Sequence, residues 1–215
     1  SLEDARDIEK FPKLRKLNNF ITLKNSPKLN KYNFDFYENN FILRKKNNVI
    51  ISISSNNYED YYKIGNKLNN LEKSLSRPVY LLKNKDHPFF DTTNSNDVLN
   101  SISLININSI IDLQKKSGHE IEFQRFRGNF YINEIEAWEE RKWLHKIIKI
   151  NDLFFKVEKH IRRCSATNLK PNSDKSTINL PMTLKKIYNH MDMGIYLTPL
   201  QDGEVRIGDK VCLDV

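Results

Sequence analysis

The chain has 215 residues, of which 39% are hydrophobic and 29% are charged. This composition excludes a disordered tail, because the chain can bury a sizeable core. No apolar run approaches the roughly 20 residues of a spanning helix, which excludes a helical membrane protein. Two cysteines are too few for a disulfide framework, and the start at Ser1 shows no basic, apolar leader. We therefore expect a cytoplasmic protein.

The net charge of +8 is confined to the first part of the chain. Residues 1–85 contain 17 Lys and Arg against 9 Asp and Glu, whereas residues 86–215 contain 18 of each sign. Such a basic region can bind nucleic acid, a membrane surface or an acidic protein, or it can be an ordinary solvated surface. No aromatic–basic nucleic-acid motif accompanies the charge, so we expect only weak, nonspecific nucleic-acid binding.

The first part of the chain is predicted to contain a hairpin and a helix. Apolar residues in residues 41–54 predict two strands joined by an asparagine turn. Apolar residues at helical spacing predict a helix over 58–76. A loop-like stretch follows, and we place the domain boundary within it, between the ranges 1–85 and 86–215.

Short strands dominate the second part of the chain. Many short strands with few helices predict a closed barrel, and the whole fold is expected to be mixed α/β and β-dominated. Helices are expected from Asn108 or Ser109 to Lys116, with Gly118 as the stop, and over 183–191. The predicted strands are 101–107, 129–135, two strands around a turn within 147–161, and a C-terminal hairpin over 194–213.

The segment RRCSATN, residues 162–168, concentrates reactive side chains. Cys164 follows two arginines, and neighbouring cations favour the thiolate form, which is both a nucleophile and a metal ligand. A free cysteine can equally be a small buried apolar residue. Cys212 lies in an apolar C-terminal strand, and we predict that it is such a core residue.

A second basic cluster, Arg125-Phe126-Arg127-Gly128-Asn129, opens a predicted strand. Arginines at alternate positions of an extended chain point the same way, and a glycine lets a ligand approach the backbone closely. Two guanidinium groups and an amide suit a phosphate. Salt bridges to Glu120 or Glu122 are the alternative that spacing alone allows.

Several segments together resemble the MOSC domain, the module named after the C-terminal part of molybdenum-cofactor sulfurase. FITLKNSPKL, residues 20–29, also resembles the end of the N-terminal β region that precedes this domain in bacterial and mitochondrial amidoxime-reducing proteins. The resemblance implies a MOSC β-barrel after an incomplete, truncated N-terminal β region with one helix. The main segments are RFRGNFYINEIEAWEERKW (125–143), RRCSATNLKP (162–171) and MGIYLTPLQDGEVRIGDKV (193–211).

The resemblance implies a molybdenum-pterin cofactor. In relatives of this type, the cysteine of an arginine–cysteine pair is the protein ligand to molybdenum, and that position corresponds to Cys164. Gly128 stands where the family has proline, and Lys24 stands where relatives often have arginine. The cofactor-binding residues that we expect are Lys24, Asn108, Ser109, Arg125, Arg127, Asn129, Arg162, Arg163 and Thr167.

The activity implied by the resemblance is that of a molybdenum-dependent oxidoreductase that reduces N-hydroxylated compounds. Its electrons are expected from an external ferredoxin- or cytochrome-type donor with a reductase. Two alternatives stay open. Cys164 could carry sulfur as a persulfide and transfer it to a partner, or the basic N-terminal region could make the protein a non-enzymatic binding module.

Overall fold

A computed structural model describes residues 20–75, 79–81 and 101–213. The chain divides into two compact units. The first comprises Ser1–Thr93 and Pro171–Lys175, and the second comprises Asn94–Lys170 and Ser176–Val215. The predicted boundary between residues 85 and 86 lies outside the described residues. Within the described residues, no helix combines the length and the apolar character needed to cross a bilayer.

The described residues of the first unit form a three-stranded antiparallel sheet and one α-helix. The strands are β1 (Tyr32–Tyr37), β2 (Asn40–Lys45) and β3 (Asn48–Ser54), in the order β1-β2-β3. Helix α1 (Tyr61–Leu71) follows a short 3-10 turn and packs Tyr61 and Ile64 against Ile53. The predicted hairpin is confirmed, and the predicted helix is present with shorter bounds than 58–76. Strand β1 was not predicted, although its sequence YNFDFY alternates aromatic and polar residues, and five of its six residues are exposed.

The second unit is a curled, six-stranded half-barrel sheet with helices on one face. In chain order, its elements are β4 (Ile102–Asn106), α2 (Ile107–Ser117), β5 (Phe130–Ile132), β6 (Ile147–Ile150), β7 (Leu153–Arg162), α3 (Leu180–Tyr188), β8 (Asp192–Pro199) and β9 (Val211–Leu213). The strand order in the sheet is β5-β4-β8-β7-β6-β9, and neighbours are antiparallel except for the parallel pair β4 and β5.

Both faces of this sheet are buried. The neighbouring residues Leu104 and Ile105 of β4 are both fully buried, and they belong to different core clusters because successive side chains of a strand point to opposite faces. Ile105 packs with Leu113 of α2 and Leu184 of α3. Leu104 packs with Ile148 and Val157 inside the half-barrel. The burial of both Leu104 and Ile105 therefore reflects a strand that is covered on both faces of the sheet.

Helix α2 shows how local sequence sets the boundaries of an element. The side chain of Asn106 caps its start by accepting the N–H of Asn108 at 3.0 Å. Gly118 ends it in the left-handed conformation, as predicted from the sequence. The predicted cap at Asn108 or Ser109 was wrong by two or three residues. Both side chains lie inside the helix and form other hydrogen bonds.

Two predicted elements differ from the structure near the C terminus. Helix α3 spans Leu180–Tyr188 rather than the predicted 183–191, because Asn179 caps its start and Asn189 adopts the left-handed conformation at its end. The predicted C-terminal hairpin is wrong. The last strand, β9, pairs with β6 and not with β8. Main-chain pairing between distant segments is not visible in local alternation.

Candidate functional site

Cys164 lies where β7 ends and a 3-10 turn, Ser165–Asn168, begins. Its side chain is partly exposed. Its carbonyl oxygen accepts hydrogen bonds from the N–H of Thr167 at 3.1 Å and from the Thr167 hydroxyl at 2.8 Å. The fold therefore uses the backbone of Cys164 and the buried side chain of Thr167 to shape the turn. No hydrogen bond within the described residues engages the thiol.

Arg163 turns its side chain back into the protein. Its Nε donates to the carbonyl of Met193 at 2.9 Å, which Nη2 also contacts, and its Nη1 donates to the carbonyl of Phe126 at 2.9 Å. The guanidinium carbon lies 5.4 Å from the centroid of the Phe126 ring. Burial lowers the pKa of Arg163 to about 10, so the guanidinium is still charged at neutral pH.

Arg125 is buried, with 4% of its surface exposed. Its Nε donates to a carboxylate oxygen of Glu122 at 2.6 Å, its Nη1 to the carbonyl of Asn168 at 2.8 Å, and its Nη2 to the Thr177 hydroxyl at 2.7 Å. The ion pair with Glu122 that spacing allowed is present. All three nitrogens of Arg125 are engaged inside the protein, and this geometry favours a structural role.

The predicted alternation of Arg125 and Arg127 on an extended chain is wrong. Residues Phe123–Phe126 form a 3-10 turn, and Arg127 adopts the left-handed conformation, with φ 52° and ψ 43°. The two arginines therefore point in different directions. Arg127 is exposed, and no hydrogen-bond or ion-pair partner of its guanidinium lies among the described residues.

The two basic clusters meet in the structure. Each cluster contributes an arginine that donates to a backbone carbonyl of the other. Arg163 donates to the carbonyl of Phe126, and Arg125 donates to the carbonyl of Asn168. In the chain, Cys164 directly follows Arg163 and Arg127 directly follows Phe126, so both residues lie next to the hydrogen bond between Arg163 and Phe126. We call the two segments joined by this bond, with Cys164 and Arg127, the corner of the second unit. Among the described residues, the Arg127 guanidinium has no partner.

Gly128 approaches the sheet rather than a ligand. A Cβ atom at this position would lie 2.5 Å from Cγ1 of Ile105 and 3.1 Å from Cζ of Tyr131. Its N–H donates to the Tyr131 hydroxyl at 2.8 Å. Close packing against β4 and Tyr131 is therefore sufficient to explain why position 128 is a glycine. The close approach of a ligand, which we expected from the sequence, is not needed to account for it.

We expect Gly128→Ala to lower the free energy of unfolding by about 1–3 kcal/mol, the usual cost of overpacking a filled core. The added methyl group must displace Ile105 or the backbone of residues 127–128. Urea denaturation measures the effect. An unchanged free energy of unfolding would contradict the tight packing described above.

Three other predicted cofactor-binding residues serve the scaffold. Asn129 holds its loop against β4 through two hydrogen bonds. Its Oδ1 accepts from the hydroxyl of Ser103 at 2.7 Å and from the N–H of Ser103 at 3.0 Å. Asn108 donates to the carbonyls of Asn133 and Ile135 at 2.9 and 2.8 Å. Ser109 is fully buried and donates to Glu140 at 2.8 Å. Their polar groups hold loops around the start of α2.

Glu140 is a buried carboxylate that the sequence did not single out. It is fully buried and accepts hydrogen bonds from Asn106 Nδ2 at 2.9 Å and from the Ser109 hydroxyl at 2.8 Å. Burial raises the pKa of Glu140, and this effect outweighs the two hydrogen bonds that favour the ionised form. The sequence feature that could have drawn attention to Glu140 is its place in the acidic-aromatic segment Trp138-Glu139-Glu140. That segment alone does not show which of its two glutamates is buried.

Ionisation of Glu140 should cost stability. Because its pKa is raised in the folded state, its contribution is fully present below the unfolded-state pKa of about 4.3 and is lost as the pH rises through the folded-state value. A glutamine cannot ionise, yet its amide can accept from Asn106 and donate to Ser109. We therefore expect the stability of Glu140→Gln relative to the wild type to increase between about pH 4 and pH 7.

Urea denaturation across this pH range tests the expectation. Glu139→Gln is the matched control, because the Glu139 carboxylate forms an ion pair with the exposed Lys142, which contributes little to stability. Stability curves of Glu140→Gln and wild type that run parallel with pH would rule out Glu140 as a source of pH-dependent stability.

The remaining residues singled out from the sequence are Lys24, Arg162 and Cys212. Lys24 belongs to the first unit and lies in an exposed turn. Arg162 is exposed at the end of β7 and contacts the sulfur of Met191 at 3.9 Å. The prediction for Cys212 is wrong. Cys212 is exposed, because in β9 its neighbours Val211 and Leu213 face the core and alternation turns it outward.

Comparison with known proteins decides the family. The family model described as "MOSC domain" matches residues 92–212, which is more than half of the chain. The chain belongs to the MOSC domain family. This family is associated with binding of the molybdenum cofactor.

A solved structure also resembles the chain. It is the crystal structure of YiiM from Geobacillus stearothermophilus, with 16% sequence identity and a TM-score of 0.42. The match covers 53% of this chain and 54% of the other, so it spans about half the length of that structure. The comparison with curated proteins gave no match.

The residues at the corner of this MOSC domain fit a cofactor that offers a metal and a phosphate. Cys164 presents a partly exposed thiol, a soft ligand, and Arg127 presents an unpaired guanidinium. The other expected ligands of the second unit, Arg162 apart, already hydrogen-bond within the protein. They are Asn108, Ser109, Arg125, Asn129, Arg163 and Thr167.

Proposed function

We propose that this MOSC domain binds the molybdenum-pterin cofactor and forms the metal-binding part of an oxidoreductase that reduces N-hydroxylated compounds. Cys164 is the proposed protein ligand to molybdenum. Arg127 is the proposed ligand of the pterin phosphate, and Arg162 is a second candidate for the same anion. The observation that supports the proposal is the hydrogen bond between Arg163 and Phe126, because the next residue in the chain is Cys164 on one side of this bond and Arg127 on the other.

The geometry supports different roles for the two kinds of arginine. Arg127 has no partner among the described residues, so a phosphate can bind it without breaking an existing contact. Arg163 and Arg125 would each have to give up hydrogen bonds to backbone carbonyls. Exchanging satisfied hydrogen bonds for new ones gains little free energy, so Arg127 is the stronger phosphate ligand.

The bound cofactor would supply the two-electron chemistry of this reaction. Reduction of an N-hydroxylated compound consumes two electrons and two protons, breaks the N–O bond and releases the oxygen as water. The protein's own contribution is to hold the metal through the Cys164 thiolate and to fix the phosphate through Arg127. We propose that the electrons come from an external ferredoxin- or cytochrome-type donor with its reductase.

Metal analysis and turnover together test the proposal. The full chain is produced in two hosts, one that makes the molybdenum cofactor and one in which its synthesis is blocked. We expect about one molybdenum per chain only from the first host, and reduction of benzamidoxime by chemically reduced viologen only with that protein. Protein without molybdenum from both hosts would refute the proposal. A mass increase of one sulfur atom on Cys164, without metal, would instead indicate a sulfur carrier.

A further inference from the structure

Arg163 combines four contacts that together fix the geometry of the corner. Its Nε and Nη2 bind the carbonyl of Met193, and its Nη1 binds the carbonyl of Phe126. Its guanidinium also lies over the Phe126 ring, 5.4 Å from the centroid. It therefore joins three segments: the end of β7, strand β8 and the turn that precedes Arg127.

We propose that Arg163 is a positioning residue that holds the Arg127 guanidinium beside the Cys164 thiol, an inference that rests on the proposed function. The resemblance assigned Arg163 to the cofactor itself. Its donors point instead to two backbone carbonyls, which leaves the direct contact with an anion to Arg127.

The peptide plane between Phe126 and Arg127 is the point of control. Arg127 has φ 52°, a left-handed conformation that non-glycine residues seldom adopt. Its own N–H binds the carbonyl of Gln124 at 3.1 Å, and the Phe126 carbonyl on the same peptide plane receives Nη1 of Arg163. Both polar groups of this peptide are thus held, and the direction of the Arg127 side chain is set by that restraint.

Lysine should not replace Arg163 in this role. A guanidinium has donors on a planar fork and can reach two carbonyls at once, whereas an ammonium is a single point charge. Arg163→Lys therefore keeps the positive charge next to Cys164 and releases the Phe126–Arg127 peptide. This separation of charge from geometry makes the proposal testable without any cofactor.

The experiment measures the local charge at Cys164 through two alkylating reagents. The full chain, in a Cys212→Ser background and without cofactor, is treated with iodoacetate, an anion, or with neutral iodoacetamide at one pH. The readout is the ratio of the two alkylation rates at Cys164, followed by mass spectrometry. An Arg127 side chain held nearby should raise this ratio about threefold, which is the effect of one unit charge roughly 6 Å away in water.

We expect Arg127→Gln and Arg163→Lys to lower the ratio to the same value, although only the first removes a charge. Ile148→Ala is the control for lost stability, because Ile148 belongs to the other core cluster, which contains neither Phe126 nor Met193. It should leave the ratio unchanged. Arg163→Gln, alone and combined with Arg127→Gln, provides a second test if Arg163→Lys does not fold. Once Arg163 is replaced, the further loss of Arg127 should not lower the ratio again.

An Arg163→Lys protein with the wild-type ratio would overturn the proposal, because Arg163 would then contribute only to stability. A further fall of the ratio when Arg127→Gln is added to Arg163→Gln would overturn it for the same reason. An unchanged ratio in Arg127→Gln would overturn it as well, since Arg127 would not lie beside Cys164. These outcomes are independent of the proposed function. A chain that never binds molybdenum can still show the predicted ratios, and a molybdenum protein can fail to show them.

Discussion

Replacing Cys164 with serine should give a folded protein that contains no molybdenum. The fold uses only the backbone of Cys164, whose carbonyl accepts two hydrogen bonds from Thr167. Serine is nearly isosteric and the side chain is partly exposed, so we expect the free energy of unfolding to change by less than about 0.5 kcal/mol. A hydroxyl is a much poorer ligand than a thiolate for a soft metal site, so metal retention and N-hydroxyl reduction should both be lost.

Cys212→Ser is the matched control for this prediction. Cys212 is exposed on the outer side of β9, so its replacement should spare stability, metal content and turnover alike. Molybdenum content per chain is measured for both variants after purification from the same host. A Cys164→Ser protein that keeps wild-type molybdenum and turnover would show that this thiol is not the ligand.

Removing the Arg127 side chain should weaken cofactor retention without destabilising the fold. Arg127→Ala keeps a Cβ atom, so the strain of the left-handed backbone is unchanged, and no described partner loses a hydrogen bond. Charge-assisted hydrogen bonds contribute roughly 1.5–3 kcal/mol, so the cofactor should dissociate about 10- to 150-fold more readily.

The loss of cofactor from Arg127→Ala is followed by the pterin content of the protein after dilution and filtration. Arg206→Ala is the control, because Arg206 is an exposed arginine whose ion pair with Glu204 lies on the surface. Equal retention in Arg127→Ala and Arg206→Ala would assign the phosphate to another residue.

Local sequence signals predicted those elements that depend on neighbouring residues. The stop of α2 at Gly118 and the turn between β6 and β7 at Asn151 are both set by residues that adopt the left-handed conformation. The strand predicted to end at residue 161 likewise places Cys164 just beyond a strand end, and β7 ends at Arg162 in the structure. In each case the determining residue lies within the element or next to it.

The sequence did not reveal features that depend on distant partners. Spacing suggested that Arg125 and Arg127 act together, but contacts with Asn168 and Thr177 draw Arg125 into the interior while Arg127 stays outside. Glu140 is buried because Asn106 and Ser109 can satisfy its carboxylate, which only the folded chain brings together. Most residues of the expected ligand set therefore form hydrogen bonds within the protein that spacing did not reveal.

The most direct test of the central claim compares the two cysteines of one protein sample. Molybdenum-loaded protein is treated with iodoacetamide, and Cys164 and Cys212 are quantified by mass spectrometry before and after the cofactor is removed. The proposed site predicts that Cys212, which is exposed, reacts in both states, and that Cys164 reacts only after removal. Equal labelling of Cys164 in the loaded and the cofactor-free protein would contradict its assignment as the molybdenum ligand.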